Sequence, residues 1–151
     1  MKAVTSPKTV VIIHGPNLNL LGEREPEVYG ATTLAEIDAA IRSLATELGC
    51  QIASSQHSGE GDIIDAVHAA ARSGYGIVIN PGAYAHYSYA IRDALAAAQV
   101  PKVEVHLTNI YARDEFRRTS VVAPAVHGVV AGFGLESYLL ALRGVAAMLD
   151  K

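Results

Sequence analysis

The chain has 151 residues, half of them hydrophobic, and a formal net charge of −3. This length predicts a single domain spanning residues 1–151 with a sizeable core, and the hydrophobic content excludes an intrinsically disordered chain. The slightly acidic balance argues against a nucleic-acid partner, and no apolar run is long enough to span a membrane. The lone cysteine, Cys50, cannot form an internal disulfide, so we expect a soluble protein of the reducing cytoplasm.

Short strand-like runs alternate with helical periods through the first half of the chain. Residues 9–14 (TVVIIH) predict a buried strand, and a long loop rich in proline and glycine follows it. A capping box beginning at Thr33 predicts the start of a helix that ends at Gly49. A weaker strand at 51–55 and a second helix closed by Gly74 complete this half.

The second half repeats the alternation. Strands are expected at 76–80, 102–107 and 128–132, and helices at 88–98 and 135–150. Strands separated by helices are typical of a parallel sheet covered on both faces. Five strands at this length predict a flavodoxin-like, doubly wound α/β domain.

Polar residues collect where the expected strands end. In open α/β sheets, ligands bind beyond the carboxyl ends of the strands, near the point where the strand order reverses. The candidate residues that follow strands one, three and four, or lie on the adjoining loops, are Asn17, Arg24, Tyr29, Asn80, His86, His106, Thr108, Arg113 and Arg117.

Glu104 and His106 stand two residues apart on the fourth expected strand, so their side chains point to the same face. A carboxylate beside an imidazole can fix its orientation and favour its protonated form, as a general acid requires. The alternative is an ion pair at the surface end of the strand.

Tyr29 could serve as a base only if a nearby cation stabilises its phenolate, because a tyrosine ordinarily ionises near pH 10. Arg24 on the same loop could supply that charge at about 4 Å, and Arg113 is a second candidate. The alternatives are an aromatic side chain in the core or at a rim, and arginines that are simply solvated.

Other candidate residues also have two interpretations. Residues 80–82 (NPG) form either a plain turn or an anchor for substrate hydroxyls. Arg117 belongs either to a basic face or to a site that binds a carboxylate. The six histidines and one cysteine lack the spacing of a metal site, so no metal is expected.

Four segments together resemble a known family. They are GPNLNLLGEREPEVYG from Gly15, INPGAYAH with AIRDAL around Asn80 to Leu95, EVHLTN from Glu104, and ARDEFRRTS from Ala112. In this order and spacing they resemble the type II 3-dehydroquinate dehydratases, and the resemblance runs from about residue 9 to residue 149. It implies a lyase that converts 3-dehydroquinate to 3-dehydroshikimate and water by anti elimination through an enolate, in the shikimate pathway of aromatic amino-acid biosynthesis or in quinate catabolism.

The resemblance also implies catalytic roles. Tyr29 would take the proton next to the substrate ketone, and Arg24 would promote its ionisation. His106 would protonate the departing hydroxyl with Glu104 as its partner. Asn17 would hold a water against the enolate oxygen. No metal or organic cofactor is implied.

The implied substrate-binding residues are Asn80, His86, Asp93, Leu107, Thr108, Arg113 and Arg117. Asp93 would reach the site of a neighbouring subunit, since the family assembles as a dodecamer of trimers. Thr108 departs from the serine of many relatives, and Tyr87 and Tyr89 replace smaller residues. The alternative function is a non-catalytic flavodoxin-like module that binds a small anion through its arginines.

Overall fold

A computed structural model describes residues 7–151, except for the side chain of Tyr29. Five parallel strands form one sheet in the order β2-β1-β3-β4-β5, which confirms the doubly wound, flavodoxin-like α/β fold expected from the sequence. The strands are β1 (Lys8–His14), β2 (Cys50–Gln56), β3 (Gly76–Asn80), β4 (Lys102–His106) and β5 (Gly128–Ala131).

The connections are helical. A short helix, α1 (Pro26–Tyr29), lies in the first loop, and four longer helices connect or follow the strands: α2 (Leu34–Leu48), α3 (Glu60–Arg72), α4 (Tyr89–Ala97) and α5 (Leu135–Leu149). As predicted, the Thr33 hydroxyl accepts a hydrogen bond from the Glu36 N–H at the start of α2, and Gly49 ends that helix with a φ of +70°. A side-chain acceptor satisfies a first-turn N–H, and glycine adopts a positive φ at little cost.

Alternation along each strand builds two separate cores. On β3, Val78 faces the cluster shared with α2 and α5, whereas Ile77 and Ile79 face the cluster shared with α3 and α4. Because successive side chains point to opposite faces, β1 and β3 are largely apolar on both sides, whereas β4 is apolar on the side of Val103 and Val105 only. The two cores hold β1, β3 and β4 side by side at the centre of the sheet.

The loops differ from the sequence-based expectation. The long loop after β1 contains the short 3-10 helix Leu18–Leu20 as well as α1. Pro26, in the segment expected to be a loop, occupies the first helical position of α1, where its missing N–H costs nothing. The connection between β4 and β5 contains three further short 3-10 helices: Ile110–Ala112, Glu115–Arg118 and Ala123–Ala125. Within residues 7–151, the helices are too short or too polar to cross a membrane.

Candidate active site

A cavity of about 150 Å³ opens at the carboxyl ends of β1, β3 and β4. This is the edge of the sheet where ligands of doubly wound folds bind. The predicted site residues that line it are Asn17, Arg24, Asn80, His86, His106, Leu107, Thr108, Arg113 and Arg117. Nine of the twelve predicted site residues therefore line one cavity.

Two of the other predicted residues, Glu104 and Asp93, are not among the lining residues. Glu104 lies beneath His106 and is fully buried. Asp93 is exposed on α4 and is not part of the cavity lining of its own chain. The backbone of Tyr29 ends α1, but its side chain lies outside the described part of the structure.

His106 and Glu104, here called the acid pair, form a buried unit rather than an ion pair at the protein surface. His106 Nε2 lies 2.5 Å from Glu104 Oε2, and the His106 side chain is only 8% exposed. The Ser120 hydroxyl lies 2.9 and 2.8 Å from the two Glu104 oxygens and accepts a bond from the Ala123 N–H. Sequence reasoning missed Ser120, because it lies in an irregular connection 16 residues from Glu104. Its hydroxyl and the imidazole together fix the carboxylate.

The Asn80 side chain lines the cavity from the face of the sheet opposite to that of His106. Its Oδ1 accepts a hydrogen bond from the Gly82 N–H at 3.1 Å, and its Nδ2 donates to the Tyr138 hydroxyl at 3.1 Å. Tyr138 also contacts His14 Nδ1 at 3.0 Å, and His14 Nε2 contacts Asp38 Oδ1 at 2.9 Å. Tyr138 and His14 were not selected from the sequence. The signal available was a hydroxyl-bearing aromatic on the inward stripe of α5, three residues after Leu135.

His86 is oriented by the backbone of the β4–β5 connection. Its Nδ1 lies 2.8 Å from the Thr119 carbonyl oxygen, which can only accept, so Nδ1 carries the proton. Burial is the main cause that lowers the pKa of His86 below 6.5, and the nearby His106 and Arg117 lower it further. His86 therefore favours the neutral form, with Nε2 free of a proton and able to accept one. Its ring stacks on that of His106, with 6.3 Å between centroids.

Three arginines make the cavity cationic. Arg24 and Arg113 contribute to its lining, and Arg24 also lies 3.9 Å from the Glu25 carboxylate. The Arg117 guanidinium packs over the Phe116 ring, and its buried Nε has no hydrogen-bond acceptor among the described residues. A buried donor without a partner is costly, so Arg117 is suited to bind an anionic group of a ligand.

Close backbone packing holds the first loop against the end of β3. The Gly15 N–H donates to the Asn80 carbonyl at 2.8 Å, and a Cβ on Gly15 would lie 2.6 Å from the Pro81 carbonyl atoms. Asn17 follows with a left-handed φ of +70° and lines the cavity. Asparagine tolerates this conformation better than most residues. The packing at Gly15 fixes the backbone that leads into Asn17.

Among residues 7–151, no three His, Cys, Asp or Glu side chains cluster closely enough to hold a metal ion. The arrangement in the cavity is instead an acid pair, several hydrogen-bonding side chains and three cations. It can protonate a leaving group and bind an anionic, hydroxylated ligand.

Comparison with known proteins decides the family. Residues 8–146 match the model of the class II dehydroquinases. The chain belongs to this family. The match covers β1 through most of α5, so every residue of the cavity lies inside the family region.

Members of the family resemble this chain in both sequence and structure. The 3-dehydroquinate dehydratase of Pelotomaculum thermopropionicum is 52% identical over 92% of this chain and 96% of its own length. That of Nostoc sp. is 52% identical over 95% of this chain and 97% of its own length. The crystal structure of the type II dehydroquinase from Propionibacterium acnes has a TM-score of 0.90 and 43% identity, covering 93% of this chain and 97% of that one.

Proposed function

We propose that this protein is a hydro-lyase that removes water from 3-dehydroquinate to give 3-dehydroshikimate. Membership of the class II dehydroquinase family and the dehydratases about half identical to it support this reaction. The single observation that carries the proposal is the His106–Glu104 pair, because a buried acid at the wall of a cationic cavity suits an elimination. A module that only binds an anion needs the arginines but no such pair.

His106 is the general acid in this proposal. Its Nε2 is bound to Glu104, so Nδ1 is the ring nitrogen left to protonate the departing hydroxyl. A fixed imidazole pays no reorganisation at the moment of proton transfer, and general acid catalysis contributes roughly 10²- to 10⁴-fold. The Ser120 hydroxyl supports the role by holding Glu104 in place.

Tyr29 is the proposed base, and it takes the proton on the carbon next to the ketone. Arg24 supplies the positive charge that favours the tyrosinate, and its place in the cavity lining supports this role. The electron pair released from the C–H bond forms a carbon–carbon double bond, and the carbonyl π pair moves onto the oxygen to give an enolate, which a water held by Asn17 stabilises. When the enolate collapses, the C–O bond to the neighbouring hydroxyl breaks and His106 delivers the proton that completes water.

The remaining lining residues bind the substrate. Arg117 is proposed to bind the carboxylate, because its Nε is a buried donor with no acceptor in the described chain. Asn80 and neutral His86 are proposed to bind hydroxyls, with the others providing further contacts: Leu107, Thr108 and Arg113. Binding through several fixed contacts positions the C–H and C–O bonds for elimination.

The protein is further proposed to assemble in the cytoplasm as a dodecamer built from trimers, with Asp93 reaching a neighbouring subunit's site. The exposure of Asp93 on α4 supports that role. Apolar side chains near the β5 edge support burial by other subunits, since Val129, Phe133 and Leu140 are 44%, 63% and 45% exposed. Light scattering measures the number of subunits. A fully active monomer would contradict an active site to which Asp93 of a neighbouring subunit contributes.

The substitution Tyr29→Phe separates catalysis from binding. It removes the ionisable hydroxyl but keeps the ring, so turnover of 3-dehydroquinate should fall by at least about 10³-fold. Calorimetric binding of the product should change little. Tyr111→Phe is the matched control, because Tyr111 is 69% exposed and outside the cavity lining. Full activity in Tyr29→Phe would show that the base is another group.

A further inference from the structure

A buried chain of hydrogen bonds runs behind Asn80, away from the cavity. His14 and Asn80 are partners in the register of β1 and β3, so their side chains point to the same face of the sheet. Tyr138 on α5 covers that face and is fully buried, as is His14. The contacts run in order from Asn80 Nδ2 to Tyr138 Oη, from Oη to His14 Nδ1, and from His14 Nε2 to Asp38 Oδ1.

The direction of each hydrogen bond follows from the chemistry of the groups. Asn80 Oδ1 accepts from the Gly82 N–H, so the nitrogen of the amide faces Tyr138 and can only donate. Burial raises the pKa of Tyr138, so the phenol keeps its hydrogen and must donate it. The acceptor available is His14 Nδ1. A doubly protonated His14 would leave that hydroxyl hydrogen without an acceptor.

Asp38 completes the chain at its outer end. Its Oδ1 accepts from the Ser54 hydroxyl at 2.8 Å as well as from His14 Nε2–H. Although burial raises the pKa of this carboxyl, the hydrogen bonds from His14 and Ser54 bring it below its ordinary value. An ionised carboxylate accepts but does not donate, so His14 carries a proton on Nε2.

We propose that Tyr138 and His14, held by Asp38, are positioning residues that orient the Asn80 amide for substrate. The Asn80 oxygen is used by Gly82 and one of its N–H groups by Tyr138. The second N–H remains for the cavity, which Asn80 lines. Asn80 is thereby a fixed donor, and it selects a substrate oxygen that accepts a hydrogen bond. This inference rests on the proposed function, in which Asn80 binds a substrate hydroxyl.

A double-mutant cycle between Tyr138→Phe and Asn80→Ala tests the inference. Tyr138→Phe frees the Asn80 amide to rotate, so KM should rise about tenfold with kcat within about twofold of wild type. In the Asn80→Ala background the same substitution should leave KM unchanged, because no amide remains to orient. Val145→Ala is the matched control, since Val145 is buried on the same helix but outside the chain of hydrogen bonds. An equal rise in KM in both backgrounds, or a similar rise in Val145→Ala, would overturn the inference.

Two variants at Asp38 repeat the test at the outer end of this series of hydrogen bonds, in case Tyr138→Phe does not fold. Asp38→Asn keeps an oxygen that can accept from His14 Nε2–H, whereas Asp38→Ala does not. We expect KM to rise about threefold in Asp38→Ala and to stay at the wild-type value in Asp38→Asn. The same KM in all three proteins would contradict the inference.

Nuclear magnetic resonance of the wild-type protein provides a test that does not depend on turnover. The ¹⁵N shifts of His14 should be those of a neutral ring protonated on Nε2, and the Asn80 side-chain amide should be protected from hydrogen exchange. Protection should be lost in Tyr138→Phe. A His14 ring protonated on Nδ1, or an Asn80 amide that exchanges equally in both proteins, would refute the positioning role. Absence of 3-dehydroquinate turnover in wild type would refute only the proposed function.

Discussion

His106 Nε2 and Glu104 Oε2 lie 2.5 Å apart on one face of β4, and the Glu104 side chain has no exposure to solvent. The Ser120 hydroxyl contacts both oxygens of the same carboxylate. A buried carboxylate is stable only when its hydrogen-bonding capacity is met. The three side chains therefore act as one unit, and removal of Glu104 or Ser120 should perturb the His106 imidazole.

Glu104→Gln tests the charge of this unit while nearly preserving its shape. The amide cannot balance a positive charge on His106, so kcat should fall about 10²-fold, whereas KM should stay within about threefold of wild type. Steady-state kinetics measures both. Glu115→Gln is the matched control, because Glu115 is exposed on a neighbouring 3-10 helix. A wild-type kcat in Glu104→Gln would show that the charge of Glu104 has no part in catalysis.

Ser120→Ala tests whether the hydroxyl holds Glu104 in place. Its removal leaves two buried carboxylate oxygens with one donor fewer, which costs about 1–3 kcal/mol of stability. We expect that loss in chemical denaturation, together with a kcat reduced about tenfold. Thr119→Ala serves as the control, since the neighbouring Thr119 side chain is exposed. The role assigned to Ser120 would fail if both variants had the same kcat.

The lowered pKa of His86 predicts that the stability of the protein depends on pH. Burial, the largest cause, lowers its folded-state pKa below 6.5, so the unfolded chain binds the proton more readily than the folded protein. The stability that His86 contributes is therefore complete above pH 6.5 and is lost as the pH falls through the folded-state pKa. The difference in unfolding free energy between wild type and His86→Asn should shrink below pH 6.5. A difference that grows on acidification would contradict the neutral His86.

Gly15→Ala tests the packing of the first loop on the end of β3. An added Cβ would lie 2.6 Å from the Pro81 carbonyl carbon and oxygen, so the backbone must move. Overpacking of this kind costs about 1–3 kcal/mol, and it should also raise KM because Asn17 and Asn80 shift. Gly61→Ala is the control, since a Cβ there has no neighbour within 4 Å. Equal thermal stability of the two variants would refute this packing.

The fold was predictable because its signals are local. The capping box at Thr33, the positive-φ glycine at Gly49 and the apolar runs of the central strands each specify their own element. Alternation of strands and helices then leaves few topologies with right-handed crossovers. The short helices within the loops were not predicted, because three to five residues carry no detectable period.

The cavity lining was predictable for a similar reason. Asn80 and His106 end adjacent parallel strands, which brings them to one edge of the sheet whatever the loops do. The groups behind them were not predictable. Tyr138 lies 124 residues from His14 and 58 from Asn80, so their contacts exist only after α5 packs on the sheet. Ser120 likewise depends on the path of an irregular connection.

The most direct measurement is a spectrophotometric assay of the purified protein with 3-dehydroquinate. Loss of water forms a conjugated enone, whose ultraviolet absorbance is absent from the substrate. Turnover should persist when a metal chelator is present, because the acid and the cations all come from side chains of the protein. Binding of 3-dehydroquinate with no turnover would contradict it and identify the protein as a non-catalytic anion-binding module.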